Sequence, residues 1–272
     1  MYKLKKWINT NSLCYFWLSS NPHATELLIK NSSKIHWTQF CKNTEAIDFL
    51  VKNIHFINWD TLSRNPHAVH LLKKNFDKIN WANFSSNTNP EAICILENHL
   101  HLVNWNNLSR NPSAISILEK NIDKINWYYL SINPNAIHLL EKNIDKINWC
   151  YLSGNCNAIS LLEKNIDKIN FDFLSENING ISLLEKIKDE SSFRWLWLSS
   201  NPNAINIIEK NKNKINYRLL SENPSIFELD YDYLDKRCNI FKEELIKKTL
   251  HPSKIMKLLN NGIELEELEF YF

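Results

Sequence analysis

The chain has 272 residues, 44% hydrophobic and 12% aromatic, with ten tryptophans against three glycines and a formal net charge of +2. That is enough apolar material for a continuous core, and too little charge to draw the protein to nucleic acid or acidic lipid by electrostatics alone. Cysteines 14, 41, 94, 150, 156 and 238 form no C-x-x-C pair, so neither a zinc site nor a disulfide framework is suggested, and reduced intracellular thiols are expected.

The first ten residues carry Lys3, Lys5 and Lys6 but lack the apolar run of a signal peptide. No stretch approaches the roughly 18 apolar residues of a membrane span, so no membrane association is expected. Residues 1–14, with Trp7 and Ile8, read as an N-terminal cap over the segment that opens at Tyr15.

From Tyr15 onward one string, W-x-x-L-S-x-N-P-x-A-I-x-L-L-E-K-N-x-D-K-I-N, recurs through residue 225. Its opening aromatic falls at Tyr15, Trp37, Trp59, Trp81, Trp105, Trp127, Trp149, Phe171, Trp195 and Tyr217. The step is 22 residues except for two of 24, whose insertions lie near Ser86–Asn89 and Lys186–Ser192, at predicted turns.

The copy at 126–143 shows the expected build. Asn133 followed by Pro134 is a helix-start signal, the Asn side chain capping free N–H groups and Pro suiting the first helical position. Ala136, Ile137, Leu139 and Leu140 then make one apolar stripe on a helix of about ten residues, with Asn135, His138 and Lys142 on the other face. Asn143 is expected to end the helix in the left-handed conformation. A link from Ile144 to Ile147 leads to Asn148, which caps a shorter helix, Trp149–Ser153, with Trp149 and Leu152 three apart on one face. Leucine-rich repeats share this approximate period, but the adjacent Leu139–Leu140 pair after Asn-Pro is helical spacing. One such unit cannot bury its own apolar face, so neighbours must stack.

Past Pro224 the pattern dissolves. Residues 226–272 read as a helical C-terminal cap: a helix from Phe241 to Leu250, another opened by Pro252 and closed by Asn261-Gly262, and a fold-back through Leu265 and Leu268. The expected fold is therefore all-α, an α-solenoid of about ten two-helix repeats at 15–225 between caps at 1–14 and 226–272.

The tandem L-S-x-N-P-N-A-I-x-L-L-E-K-N-x-D-K-I-N-W units, followed by a K-E-E-L…H-P-S-K-I…L-x-x-G tail, resemble repeat proteins encoded by giant, nucleocytoplasmic large DNA viruses of protists and algae. The resemblance covers the repeats at about 15–235 and the tail at about 237–268. It implies residence in host-cell cytoplasm or the virion, and carries over no activity, cofactor or binding residue. Thr44, Cys156 and Ile178 replace the proline, where weaker helix starts are expected.

No catalytic constellation emerges. Gly154, Gly180 and Gly262 never cluster into a phosphate loop. His67 and His70, at i and i+3, suggest a metal only weakly, being variable solvent-facing positions with no third ligand. The pairs Asp123-Lys124, Asp145-Lys146 and Asp167-Lys168 read as exposed charge ladders between neighbours, and Ser131, Ser153 and Ser175 as helix-end hydrogen bonders. No enzyme activity, cofactor or small-molecule substrate is expected.

Function is then sought where the repeat varies. The third residue of the short helix is Trp17, then polar at Gln39, Thr61, Asn83 and Asn107, then Tyr129, Tyr151, Phe173 and Trp197 before Leu219. Facing outward, Tyr128, Tyr129, Tyr151, Phe173 and Trp197 would be a partner-binding stripe; facing inward, these rings would stack between repeats and fill space. His67, His70, Asn135, His138, Asn157 and Asn203 form a second candidate surface. The leading expectation is a scaffold for a host or viral protein. Nucleic-acid binding is the alternative, disfavoured because Arg64 and Arg110 share their position with Ile132, Gly154 and Glu176 and form no basic stripe. A structural virion component is a third reading.

Overall fold

A computed structural model describes residues 2–187, 193–249 and 252–261, in two compact units, Leu4–Phe227 and Met1–Lys3 with Glu228–Phe272. The larger unit is a regular succession of short helical segments. Repeats are numbered by their opening aromatic, from Tyr15 in the first to Tyr217 in the tenth.

In repeat six the Asn133 Oδ1 accepts the N–H of Asn135 at 3.0 Å, as a capping residue should. The helix after it is not one piece of ten residues. Pro134–Ala136 is a 3-10 turn and Ile137–Glu141 an α-helix, because the Ala136 N–H bonds the Asn133 carbonyl three residues back (3.1 Å). Nor does Asn143 turn left-handed: its φ is −137°. Its amide instead donates to the Leu139 carbonyl at 2.9 Å, satisfying a helix-end acceptor that a left-handed residue would otherwise free for the backbone. The expected link is a further 3-10 turn, Ile144–Lys146. The insertion before residue 90 lets Asn87 keep the capping role while Asn89 starts a longer helix, Pro90–Glu97. The second insertion extends beyond residue 187 and lies partly outside the described residues.

Side chains at equivalent positions build continuous layers. The leucine or phenylalanine three residues after the opening aromatic is fully buried throughout, as in Leu62, Phe84 and Leu130, as are the second leucine of the long helix (Leu72, Leu118, Leu140) and the alanine after the cap (Ala68, Ala114, Ala136). The opening aromatics are half-buried over this core.

Two polar circuits fasten neighbours. Ten buried asparagines (21, 43, 65, 87, 111, 133, 155, 177, 201 and 223) do more than cap. Asn133 Nδ2 donates to the carbonyls of Ser109 and Asn111 in repeat five, both at 2.9 Å. Asn155 does the same to Ser131 and Asn133, and so on along the array. In the second circuit Ser131 Oγ donates to the Trp127 carbonyl (2.9 Å) and accepts the N–H of Asn148 in the next repeat (2.9 Å). Ser131 and Ser153 are therefore helix-end hydrogen bonders, as expected, and Ser175 accepts the N–H of Arg194. In repeat two Cys41 takes the serine's place, its Sγ 3.4 Å from the Asn58 nitrogen and its thiol pushed up by burial.

Both circuits close. Asn21 Nδ2 donates to the carbonyls of Ser221 and Asn223, each at 3.2 Å, and the Cys14 N–H to Ser221 Oγ at 2.8 Å. Repeat ten thus bonds to repeat one as every other repeat bonds to its neighbour. An open stack with an end cap at each terminus does not describe this unit. The N-terminal segment completes the tenth repeat: Thr10–Ser12 is its 3-10 turn, Leu13 stands buried where Ile35 and Ile57 stand elsewhere, and the Lys5 N–H bonds the Ile226 carbonyl at 2.9 Å. Closure requires wedge-shaped repeats turning about 36° each. The ladder side is the narrow one, since backbone carbonyls there lie within reach of a neighbour's amide, whereas the long helices are bridged by long side chains such as Lys73–Glu91 and Lys186–Glu163.

Besides helices there is, among the described residues, one two-stranded sheet, β1 (Tyr2–Leu4) with β2 (Phe227–Leu229). In the smaller unit Lys3 Nζ lies 3.2 Å from Asp230, which holds the Lys3 amine above and the Asp230 carboxyl below their ordinary values. Asp230 also opens a helix, Tyr231–Thr249, that begins well before Phe241. Pro252–Asn260 is helical as expected; Leu250 and the Leu265–Leu268 fold-back lie outside the described residues.

Candidate partner-binding face

The repeat-to-repeat wiring uses up several residues that looked available. Asn135 Nδ2 donates to the Pro112 carbonyl (2.9 Å), Asn157 to Pro134, Asn203 to Ile178, and His67 Nδ1 to Thr44 (3.0 Å). His138 Nε2 lies 2.9 Å from Glu119 in the preceding repeat. His70 is exposed, and among the described residues no three His, Cys, Asp or Glu side chains are placed to hold a metal ion. The second candidate surface is therefore mostly neighbour-to-neighbour contact.

The Asp-Lys pairs do not form ladders either. Lys124, Lys146 and Lys168 lie over the rings of Trp105, Trp127 and Trp149, at 5.0, 4.6 and 4.4 Å from the ring centroids, and Lys34 and Lys214 cover Tyr15 and Trp195 likewise. A cation on the indole face outcompetes the adjacent, well-hydrated aspartate. At Trp37 the same position holds Phe56, stacked at 4.3 Å and 12°. It follows that Lys146→Ala lowers stability by about 0.5–1 kcal/mol, while Lys146→Phe is nearly neutral; urea denaturation midpoints of the two variants check this.

The aromatic stripe is a real patch. Tyr128 lies 4.2 Å from Tyr151 between ring centroids, Tyr129 5.9 Å from Tyr151, and Tyr151 5.2 Å from Phe173. Three successive repeats thus share one aromatic cluster, and the Tyr151 phenol is pushed up chiefly by its hydrogen bond with Tyr128. The rings both stack and face water: Tyr128 is 45% and Trp197 37% exposed, with Tyr129, Tyr151 and Phe173 half-buried. Glycine at 154 keeps the cluster open, because a Cβ there would sit 3.3 Å from Ile132 and 3.5 Å from the Phe173 ring.

The residue after each circuit serine follows the short helix, and in repeat seven, as Gly154, it borders Phe173 of the patch. In order it is Ser20, Lys42, Arg64, Ser86, Arg110, Ile132, Gly154, Glu176, Ser200 and Glu222, so charge runs from basic through apolar to acidic. Glu176 meets water, yet burial pushes its carboxyl up and Glu222 adds to this. Glu222 is likewise raised by burial, against Lys42 and its bond from Ser20. The influence of Glu222 on Glu176, and of Lys42 on Glu222, places these side chains of repeats eight, ten and two within electrostatic reach of one another.

Sequence reasoning missed one further surface. Ile54, Phe76, Ile122, Ile144 and Ile166, each after a helix-ending asparagine, are exposed, Ile144 by 55%. The signal was present, since the second isoleucine of N-I-D-K-I, such as Ile147, is the buried one.

The larger unit is thus a closed helical-repeat array with near-constant wiring between repeats and one variable, aromatic face. No family model, curated protein or solved structure matches the chain. Among the described residues no helix is long and apolar enough to cross a membrane.

Proposed function

We propose that the protein is a non-enzymatic interaction scaffold that binds a host or viral protein on the aromatic face of repeats six to nine. One observation carries this reading: Tyr128, Tyr129, Tyr151 and Phe173 form a cluster across three repeats while remaining open to water. The two asparagine and serine circuits that join repeats are nearly constant and buried, so the varying residues of the short helices are free to serve recognition. Tyr and Trp supply large contact area at low entropic cost, which is why they dominate binding hot spots. The resemblance to giant-virus repeat proteins supports a viral setting, in host-cell cytoplasm or virion. Nucleic acid fits less well, because Glu176 and Glu222 occupy the same register as Arg64 and Arg110.

Selection of a displayed random-peptide library against residues 1–272 tests the proposal. Peptides recovered on the wild-type protein should lose affinity roughly 30-fold on Tyr151→Ala, the size of a hot-spot truncation. Recovered peptides that bind this variant equally well would remove the aromatic face from the account.

A further inference from the structure

We propose that the acidic end of the aromatic face, in repeats seven to ten, docks a basic segment of the partner protein, a lysine or arginine side chain lying over the rings of Tyr151, Phe173 or Trp197 with Glu176 and Glu222 as counter-charges. This rests on the binding face proposed above and names the chemistry of its occupant.

The chain itself supplies the first argument. Five of its half-buried opening aromatics are covered by a lysine of the same repeat, and Arg218 lies 5.5 Å from the centroid of the Trp17 ring. Among the described residues no lysine or arginine lies over the rings of Tyr151, Phe173 or Trp197. These are electron-rich faces of the kind that the fold elsewhere covers with cations.

Charge supplies the second. Lys42, Arg64 and Arg110 accompany the polar residues Gln39, Thr61 and Asn107 in repeats two, three and five, whereas Glu176 accompanies Phe173 in repeat eight, and Glu222, beside Leu219 in repeat ten, lies within electrostatic reach of Glu176. Glu176 comes three positions after Phe173 on one helix, Phe171–Glu176, so both side chains share a face. By repeat equivalence the root of Glu176 borders Trp197 as the Gly154 backbone borders Phe173. An acidic segment would meet repulsion here, while a basic one gains both the ring face and the carboxylate. Gly154 removes the side chain that would cover the Phe173 ring, which keeps this face accessible.

A fluorescein-labelled nonalysine, with nonaglutamate as control, tests this on the full chain by fluorescence anisotropy. Saturable nonalysine binding is expected, weakened at least about tenfold by Glu176→Gln and by Phe173→Leu, which keeps the apolar volume but removes the π-face. Lys52→Gln, at an exposed helix end in repeat two, should leave it unchanged. Thermal melts confirm that each variant is folded. Absence of saturable nonalysine binding overturns the proposal. So does a loss with Glu176→Gln but none with Phe173→Leu, since charge alone would then account for it. If library peptides depend on Tyr151 yet carry no lysine or arginine, the aromatic face stands and the basic partner falls.

Discussion

Asn133→Ala is expected to destabilise the repeat array by about 3–6 kcal/mol, among the largest losses any single side chain here can cause. The amide accepts one N–H, from Asn135, and donates to two carbonyls, those of Ser109 and Asn111. The side chain is fully buried, as are both bonds to repeat five, and each orphaned buried group costs about 1–3 kcal/mol. Asn135→Ala, which loses only an exposed bond to the Pro112 carbonyl, should cost at most about 1 kcal/mol. The discriminating variant is Asn133→Asp. It retains size and the capping oxygen but sets a carboxylate oxygen against two carbonyl oxygens, and a buried charge without a partner is costlier than a missing bond. Urea unfolding of the three variants should rank Asp below Ala and Ala far below the Asn135 variant. An Asn133→Asp protein more stable than Asn133→Ala would mean that capping, and not the bridge to repeat five, is the work of the residue.

Half of that role was legible from the amino acids. Asn-Pro announces a helix start, and the structure has one at each such site. The other half was written in a subtler place. Proline gives way to Thr44, Cys156 and Ile178, yet the asparagine before it never changes in ten copies, although Ser, Thr or Asp would cap as well. Only Asn adds two N–H donors at that length. Lysine and phenylalanine likewise share a position 19 residues after the opening aromatic, at Lys146 and Phe56. An ion-pair ladder would not tolerate that exchange, whereas a seat on an aromatic ring does. The aromatic stripe was evident from periodicity alone, but its exposure depends on how far adjacent short helices diverge, which a repeat pattern does not state. Closure is hidden for the same reason, since the wedge angle is a property of packed volumes. Its trace was the match of Leu13-Cys14-Tyr15 to Ile35-His36-Trp37, which extends the repeat backwards into the segment that read as a cap.

Deleting residues 1–14 is expected to open the array and lower its melting temperature by roughly 10–20 °C. The deletion removes Ile8 and Leu13, both buried, together with the Cys14 N–H that closes the serine circuit on Ser221. Two buried aliphatic side chains contribute about 3–6 kcal/mol, and 1 kcal/mol shifts the melting of a domain this size by about 2–4 °C. The change in character should exceed the change in midpoint. A closed circuit has no terminal repeat to fray, so every repeat is held on both sides and unfolding is concerted. Once the seam is cut, repeats one and ten each expose an apolar face and can peel away in turn, as in linear repeat arrays. Calorimetry should therefore show a broadened transition, and small-angle scattering a larger radius of gyration. A synthetic peptide of residues 1–14 added in trans should reverse both. Lys52→Ala, exposed and outside both circuits, is the control, and it should leave the array's melting nearly unchanged. A deleted chain that keeps the intact radius and a single sharp transition would show that Asn21 and His23, bonded to the carbonyls of Ser221, Asn223 and Pro224, hold the seam unaided.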